Sequence, residues 1–340
     1  MHETTVWLEK LFEQVAPLLF GNGGPIILVQ VENEYGSYGT DMAYKTQLRD
    51  IIKGHVGDNA LLYTTDGTYT YMITGGAIPG TLTTIDFGAT GDALKMFEDL
   101  RKYMPQGPLM NSEFYPGWLT HWGETLQTVS TDVVVHTLTD MMNHTINFNI
   151  YVFFGGSNFE FTAGANYNSV YLPDITSYDY DAPLSEAGDP TPKYLAIRDA
   201  IAKGILSEVK YDSKVLNGTW SITGFPLEKV KINTATNNET ENLSIAEGPV
   251  LYESHFTIPD SQPLDTFLDP TGWGKGFIWV NGYNLGRYWP GTGPQVTLYL
   301  PGCWLLPPPT QNHLQILELE EAPTSLTLNS IDYPILDRNP

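Results

Sequence analysis

Basic residues, cysteine and long apolar runs are all scarce in this chain. Only 17 Lys and Arg stand against 39 Asp and Glu, a formal charge of −22 over 340 residues. A polyanionic partner would be repelled, so nucleic acid is excluded as a partner class, while an uncharged ligand or an acidic compartment suits the balance. Cys303 is the one cysteine, which rules out an intrachain disulfide. No apolar stretch approaches the roughly 20 residues of a membrane span. Residues Met1 to Lys10 have neither the basic start nor the apolar centre of a signal peptide. The seven His are scattered, without Cys or His at ligand spacing, so neither a metal nor an organic cofactor is expected. The run Gly155-Gly156-Ser157-Asn158 lacks the Lys-Ser/Thr ending of a phosphate loop.

Aromatic rings are abundant instead: eight Trp, 20 Tyr and 14 Phe. Sugars stack their apolar faces on such rings, although core packing uses them too. Four Asn-X-Ser/Thr acceptor patterns, at Asn143, Asn217, Asn238 and Asn242, fit a glycoprotein.

The chain divides by character. Residues 1–202 alternate helical periodicity with short apolar runs that end in acids, the pattern of α/β architecture. A helix is expected over Thr4–Phe20. Pro25–Val31 reads as a strand buried on both faces, followed at once by Glu32, Asn33 and Glu34. A helix over Thr40–Lys53, strands Ala60–Thr64 and Leu82–Ile85, and a helix over Asp92–Met104 lead to Pro108–Met110 with Asn111-Ser112-Glu113 behind it. A helix over Ser130–Asn143 then leads to the strand Asn147–Phe154. Residues 203–340 turn all-β, with strands expected at Val250–Ile258, Gly276–Val280, Gln295–Leu300 and Leu314–Leu319 and a turn at Asn281-Gly282.

Two carboxylates at strand ends, amid aromatic faces, are what glycosidic bond cleavage needs. VQVENEYGSYG holds Glu34; NSEFYPGWLTHWG, 79 positions further on, holds Glu113; SYDYDAPLSEAGDPTPKY follows, and GWGKGFIWVNGYNLGRYWPGTGPQVTLYLP lies in the all-β half. In order and spacing these segments resemble the retaining β-galactosidases of glycoside hydrolase family 35. The resemblance implies α/β plus all-β architecture: a partial (β/α)8 TIM barrel, strands four to eight, over 1–202, followed by a β-sandwich, galactose-binding-like domain over 203–340. Barrel strands one to three and a middle β segment are expected to be missing.

The resemblance makes Glu34 the acid/base, protonated to release the aglycone and ionised to activate water, and Glu113 the nucleophile. A retaining reaction then calls for carboxyl groups about 5–5.5 Å apart. Asn33 would donate to the sugar 2-hydroxyl. Tyr115, Trp118, Tyr151, Tyr178 and Tyr180 are implied pocket residues, Tyr115 and Tyr151 also as hydrogen-bond donors to Glu113; Trp118 is preferred to Trp122. Asp66 and Asp86, which also end strands, read as structural. The implied substrates are β-galactoside glycans and the implied home is lysosomal or secreted. A homo-oligomer is one route by which a second copy would cover the open edge of a truncated barrel. Two other readings follow from the missing parts: an inactive fragment, or a non-catalytic galactoside-binding or interaction protein.

Overall fold

The computed structural model describes residues 1–204, 210–211, 214–215, 249–259 and 262–337. The acceptor positions Asn217, Asn238 and Asn242 lie outside the described residues; Asn143 is exposed at the end of a helix. The chain forms two compact units, one comprising Met1–Pro116, Ser130–Val152 and Ala196–Leu206, the other Gly117–Val129, Phe153–Leu195 and Ser207–Pro340.

The first unit opens with helix α1 (His2–Val15), which buries Leu8 and Phe12, one turn apart on one face. Strand β1 (Leu28–Asn33), the single turn α2 (Tyr35–Tyr38) and helix α3 (Met42–Val56) follow. Asp41 caps α3 by accepting the Tyr44 N–H, and Lys45, Leu48, Ile52 and Val56 form its buried stripe. Next come β2 (Leu61–Asp66), α4 (Thr70–Gly76), β3 (Leu82–Gly88), α5 (Ala93–Met96), α6 (Glu98–Tyr103), β4 (Met110–Tyr115), α7 (Thr131–Asn143) and β5 (Asn147–Ile150).

The five strands form one sheet in the order β1-β2-β3-β4-β5, every neighbouring pair parallel. Parallel neighbours require crossovers, which the intervening helices supply. Helices α1 and α3 cover the β1–β2 side through a core of Leu8, Phe12, Leu19, Val31, Leu48, Ile52, Val56, Leu62 and Ile78. Parallelism also fixes function: the carboxyl ends of all five strands lie along one end of the sheet. Among the described residues neither β1 nor β5 pairs with a further strand on its outer edge.

Several elements differ from the sequence reading: the Pro25–Val31 run is only partly buried, with Ile27 exposed, because β1 is an edge strand, and β5 ends at Ile150 rather than Phe154. The second acid motif does not follow its strand but lies in it, because β4 continues to Tyr115. The expected helix over 92–104 is broken at Phe97, which turns inward, fully buried, to meet Phe87 of β3 edge-on at 5.6 Å. Helix α4 was not foreseen: its Gly75-Gly76 pair argues against a helix, yet a Cβ on Gly76 would sit 1.7 Å from Asp66 Oδ1, so the approach of α4 to β2 needs glycine.

The second unit carries an exposed hairpin, β6 (Ala165–Tyr167) with β7 (Tyr171–Pro173), and the short pair β8 (Lys210–Tyr211) and β9 (Lys214–Val215); helix α8 (Pro192–Gly204) belongs to the first unit from Ala196 on. Then come β10 (Val250–Phe256), β11 (Thr266–Asp269), β12 (Gly276–Val280), β13 (Tyr283–Tyr288), β14 (Leu298–Leu300), β15 (Asn312–Glu318) and β16 (Asn329–Ile331). They make two antiparallel sheets, β10-β15-β12-β13 and β14-β11-β16. Residues of both, among them Ile278, Leu285, Tyr288 and Ile316 from one and Leu268, Leu298 and Leu300 from the other, share one core. The turn between β12 and β13 has positive φ at both Asn281 (52°) and Gly282 (85°), the two-residue hairpin geometry that Asn-Gly favours. No helix among the described residues is long and apolar enough to cross a membrane.

Candidate active site

Four acids converge on the carboxyl end of the parallel sheet: Glu34 just past β1, Asp66 ending β2, Asp86 in β3 and Glu113 in β4. Backbone bonds hold the first of them. Glu34 donates its N–H to the Thr65 carbonyl at 2.8 Å and adopts left-handed backbone, φ 51°, as the chain turns into α2. Two residues on, the buried Gly36 donates its N–H to Asp66 Oδ1 at 3.0 Å. A Cβ there would lie 1.8 Å from the Met72 carbonyl oxygen, so only glycine lets this turn close against α4.

The Glu-Asn-Glu string separates into distinct tasks. Glu32 is engaged: Oε1 accepts from the Tyr44 hydroxyl at 2.7 Å and Oε2 from the Asn33 N–H at 2.6 Å. Asn33 is oriented by Gln30, whose Nε2 donates to Asn33 Oδ1 at 2.9 Å; the Tyr63 hydroxyl in turn donates to Gln30 Oε1 at 3.0 Å. The Asn33 acceptor is thereby occupied and its amide hydrogens point elsewhere. Gln30 and Tyr63 were not singled out from sequence, because nothing in an apolar strand marks a polar relay between neighbouring strands.

Burial pushes the Glu113 carboxyl above its ordinary 4.5, and the negative charge of Glu34 adds to the shift. Asp66 is pushed up to about 7, first by burial, with Glu34 and Glu32 adding to it while the Gly36 N–H and Lys45 oppose it. Asp86 is pushed up to about 8 by burial and then by Glu34. Behind the acids, the hydroxyls of Thr65, Thr84 and Ser112 bond one another across β2, β3 and β4, closing the sheet interior with satisfied polar groups.

The Tyr115 hydroxyl donates to Asp86 Oδ1 at 2.8 Å, where β3 places Asp86 opposite Glu113. Tyr151 follows β5, where its N–H bonds the Phe114 carbonyl at 2.9 Å, and it is partly exposed. The remaining candidates lie in the second unit and pack together: Tyr178 and Tyr180 have ring centroids 5.3 Å apart, and Tyr180 and Trp118 6.1 Å. Tyr180 is buried while nearly half of Trp118 remains exposed. Trp122 is buried against Trp289, 6.2 Å between centroids. Among the described residues no cluster of His, Cys, Asp and Glu has metal-binding geometry.

Comparison with known proteins finds similarity along most of the chain. Residues 1–204 match the family described as glycosyl hydrolases family 35, and residues 249–312 match the galactose-binding domain of β-galactosidases. The chain is similar to the β-galactosidase of Felis catus, 32% identical across 98% of this chain and 73% of that protein. It is also similar to the β-galactosidase of Homo sapiens, 31% identical across 94% and 69%, and to the β-galactosidase-1-like protein of Mus musculus, 30% identical across 97% and 72%. The feline alignment extends over 498 positions against 340 residues here, so at least 158 of them face gaps in this chain. The relatives carry residues inside the matched span that this chain lacks.

Proposed function

The chain belongs to family 35 of the glycosyl hydrolases, and from that premise we propose that it is a retaining exo-β-galactosidase that releases terminal β-linked galactose. The observation that carries the reading is that Glu34, just past β1, and Glu113, in β4, both lie at the carboxyl end of one five-stranded parallel sheet. The sheet brings the two carboxylates to one end; motif order supplies the roles. In the first step Glu34, as the acid, protonates the glycosidic oxygen while a carboxylate oxygen of Glu113 bonds to the anomeric carbon and the bond to the aglycone breaks. In the second, Glu34, now ionised, takes a proton from water; the water oxygen bonds to the anomeric carbon and the ester to Glu113 breaks. Two inversions leave the configuration retained.

Asn33, its acceptor occupied by Gln30, turns its amide donor to the sugar 2-hydroxyl. Tyr115 and Tyr151 are substrate-binding residues of the first unit, and Trp118, Tyr178 and Tyr180 offer a sugar-binding aromatic face in the second. The five parallel strands are strands four to eight of a (β/α)8 barrel, residues 1–202 the catalytic module and 203–340 a galactose-binding-like sandwich. β-Galactoside glycans are the substrates, with lysosomal or secreted work implied by the acceptor asparagines. The test is hydrolysis of an aryl β-galactoside by the 340-residue chain, with the anomer first released read by proton NMR. The β anomer is expected; the α anomer, or no hydrolysis by folded protein, would overturn the reading.

A further inference from the structure

Asp86 is the acid at the strand ends that the two-carboxylate mechanism leaves without a task. Its side chain is 5% exposed. Oδ1 accepts from the Tyr115 hydroxyl at 2.8 Å. Oδ2 is buried and has no hydrogen-bond donor among the described residues. The carboxyls that act on Asp86 at the strand ends are Glu34, just past β1, and Glu113, opposite Asp86 in the β3–β4 register. Two ionised carboxylates are both acceptors, so such a contact is repulsive, and an uncompensated buried charge is strongly destabilising. A proton on Oδ2 changes its sign. The contact becomes an O–H···O⁻ bond, the charge-assisted class that is shorter and stronger than neutral ones.

We propose that Asp86 is a resident carboxylic acid whose O–H donates to Glu34, orienting that carboxyl and stabilising the carboxylate left when Glu34 protonates the departing group. The proton stays on Asp86 throughout; Glu34 alone exchanges protons with the aglycone and with water. Asp86 is thus a positioning residue, and the inference rests on Glu34 being the acid/base.

The groups that face Asp86 agree with this assignment. Burial and Glu34 favour its neutral form, Glu113 adds to them, and the Tyr115 bond opposes them without prevailing, which leaves the carboxyl at about 8. Asp66 on β2 is also raised by the charge of Glu34 and is moderated by Lys45. An ionised Asp86 would instead serve only to anchor Tyr115.

Carbon-13 NMR of the full chain labelled at aspartate Cγ, titrated from about pH 4 to about pH 9 and assigned with Asp86→Asn, tests the proton directly. The resonance should be that of a protonated acid at pH 6, with its midpoint near 8, and the midpoint should fall in Glu34→Gln. A midpoint below about 5, or one that ignores Glu34→Gln, overturns the proposal. Kinetics supply the second arm. Asp86→Asn keeps a donor toward Glu34 and an acceptor for Tyr115, so kcat should stay within about tenfold of wild type with its pH profile retained, whereas Asp86→Ala should lose roughly 10²–10³ in kcat with KM little changed. Equal impairment of the two variants also overturns it. If Glu34→Gln and Glu113→Gln remain fully active, it is the functional reading that falls, while the NMR titration still decides where the proton resides.

Discussion

Raising the pH from 5 to 7 should destabilise the first unit, opposite to the behaviour of a protein held together by ionised carboxylates. Asp66 and Asp86 are 1% and 5% exposed, and burial is the main reason their carboxyls rise from 3.8 to about 7 and about 8. An unfolded aspartate releases its proton as the pH passes 3.8, whereas the folded chain keeps these two. Where the native state binds more protons, stability falls as pH rises. Their contribution is therefore complete below pH 3.8 and is lost progressively until the folded values are passed. Two protons over two pH units, with Asp66 half ionised at the upper end, amount to on the order of 4 kcal/mol. For a unit of this size that is a fall of roughly 10 °C in Tm. His121, Asp174, Asp179 and Glu186 in the second unit are also raised, which gives the same sign there. Asp99, held down to about 2 first by its bond from Lys102, has the opposite sign but acts below pH 4. Thermal unfolding followed by circular dichroism at constant ionic strength reads the effect. Asp86→Asn should remove about half of the slope from the first unit. A flat profile, or a Tm that climbs from pH 5 to 7, would refute the placement of these protons.

Gly36→Ala should abolish activity and cost at least about 3 kcal/mol, because the new methyl meets backbone of α4 rather than a movable side chain; chemical denaturation and a chromogenic assay check both, and a stable, active variant would contradict the packing of this turn. Tyr44→Phe should cost about 1–2 kcal/mol by leaving Glu32 Oε1 without its donor, and should spare the chemistry if Glu32 is structural; a loss of kcat beyond tenfold would move Glu32 into the mechanism. In the sandwich, the buried Glu318 accepts from the Gly274, Lys275 and Glu320 N–H groups and from the Tyr288 hydroxyl. Glu318→Ala should therefore destabilise the second unit by about 3 kcal/mol or more, read as a lower melting temperature with the pH slope of the first unit unchanged.

Much of the first unit was legible because its signals are local. The run before Glu32, the stripe of α3 and the acids closing successive strands each announce an element within a few residues. The Glu34 and Glu113 motifs likewise stand out in one dimension. What escaped depends on register. Asp86 looked like any strand-ending acid; its distinction arises only when β3 and β4 pair in parallel and set it opposite Glu113, bonded by the Tyr115 hydroxyl. Gln30 and Tyr63 meet across β1 and β2 for the same reason. Helix α4 was hidden by the glycines that its approach to Asp66 demands. In the second unit β13 escaped because Gly286, at φ 102°, and the irregular pairing beside Trp279 interrupt the alternation that marks a strand.

The most direct test of the central claim is covalent trapping. Incubation with a 2-deoxy-2-fluoro-β-galactoside bearing a good leaving group slows release of the glycosyl-enzyme, so that digestion and mass spectrometry locate the sugar. The account predicts one label per chain, on Glu113 in the peptide containing Asn111-Ser112-Glu113, and none in Glu113→Gln. A label on Glu32, Glu34 or another residue, or hydrolysis that survives Glu113→Gln, would contradict it.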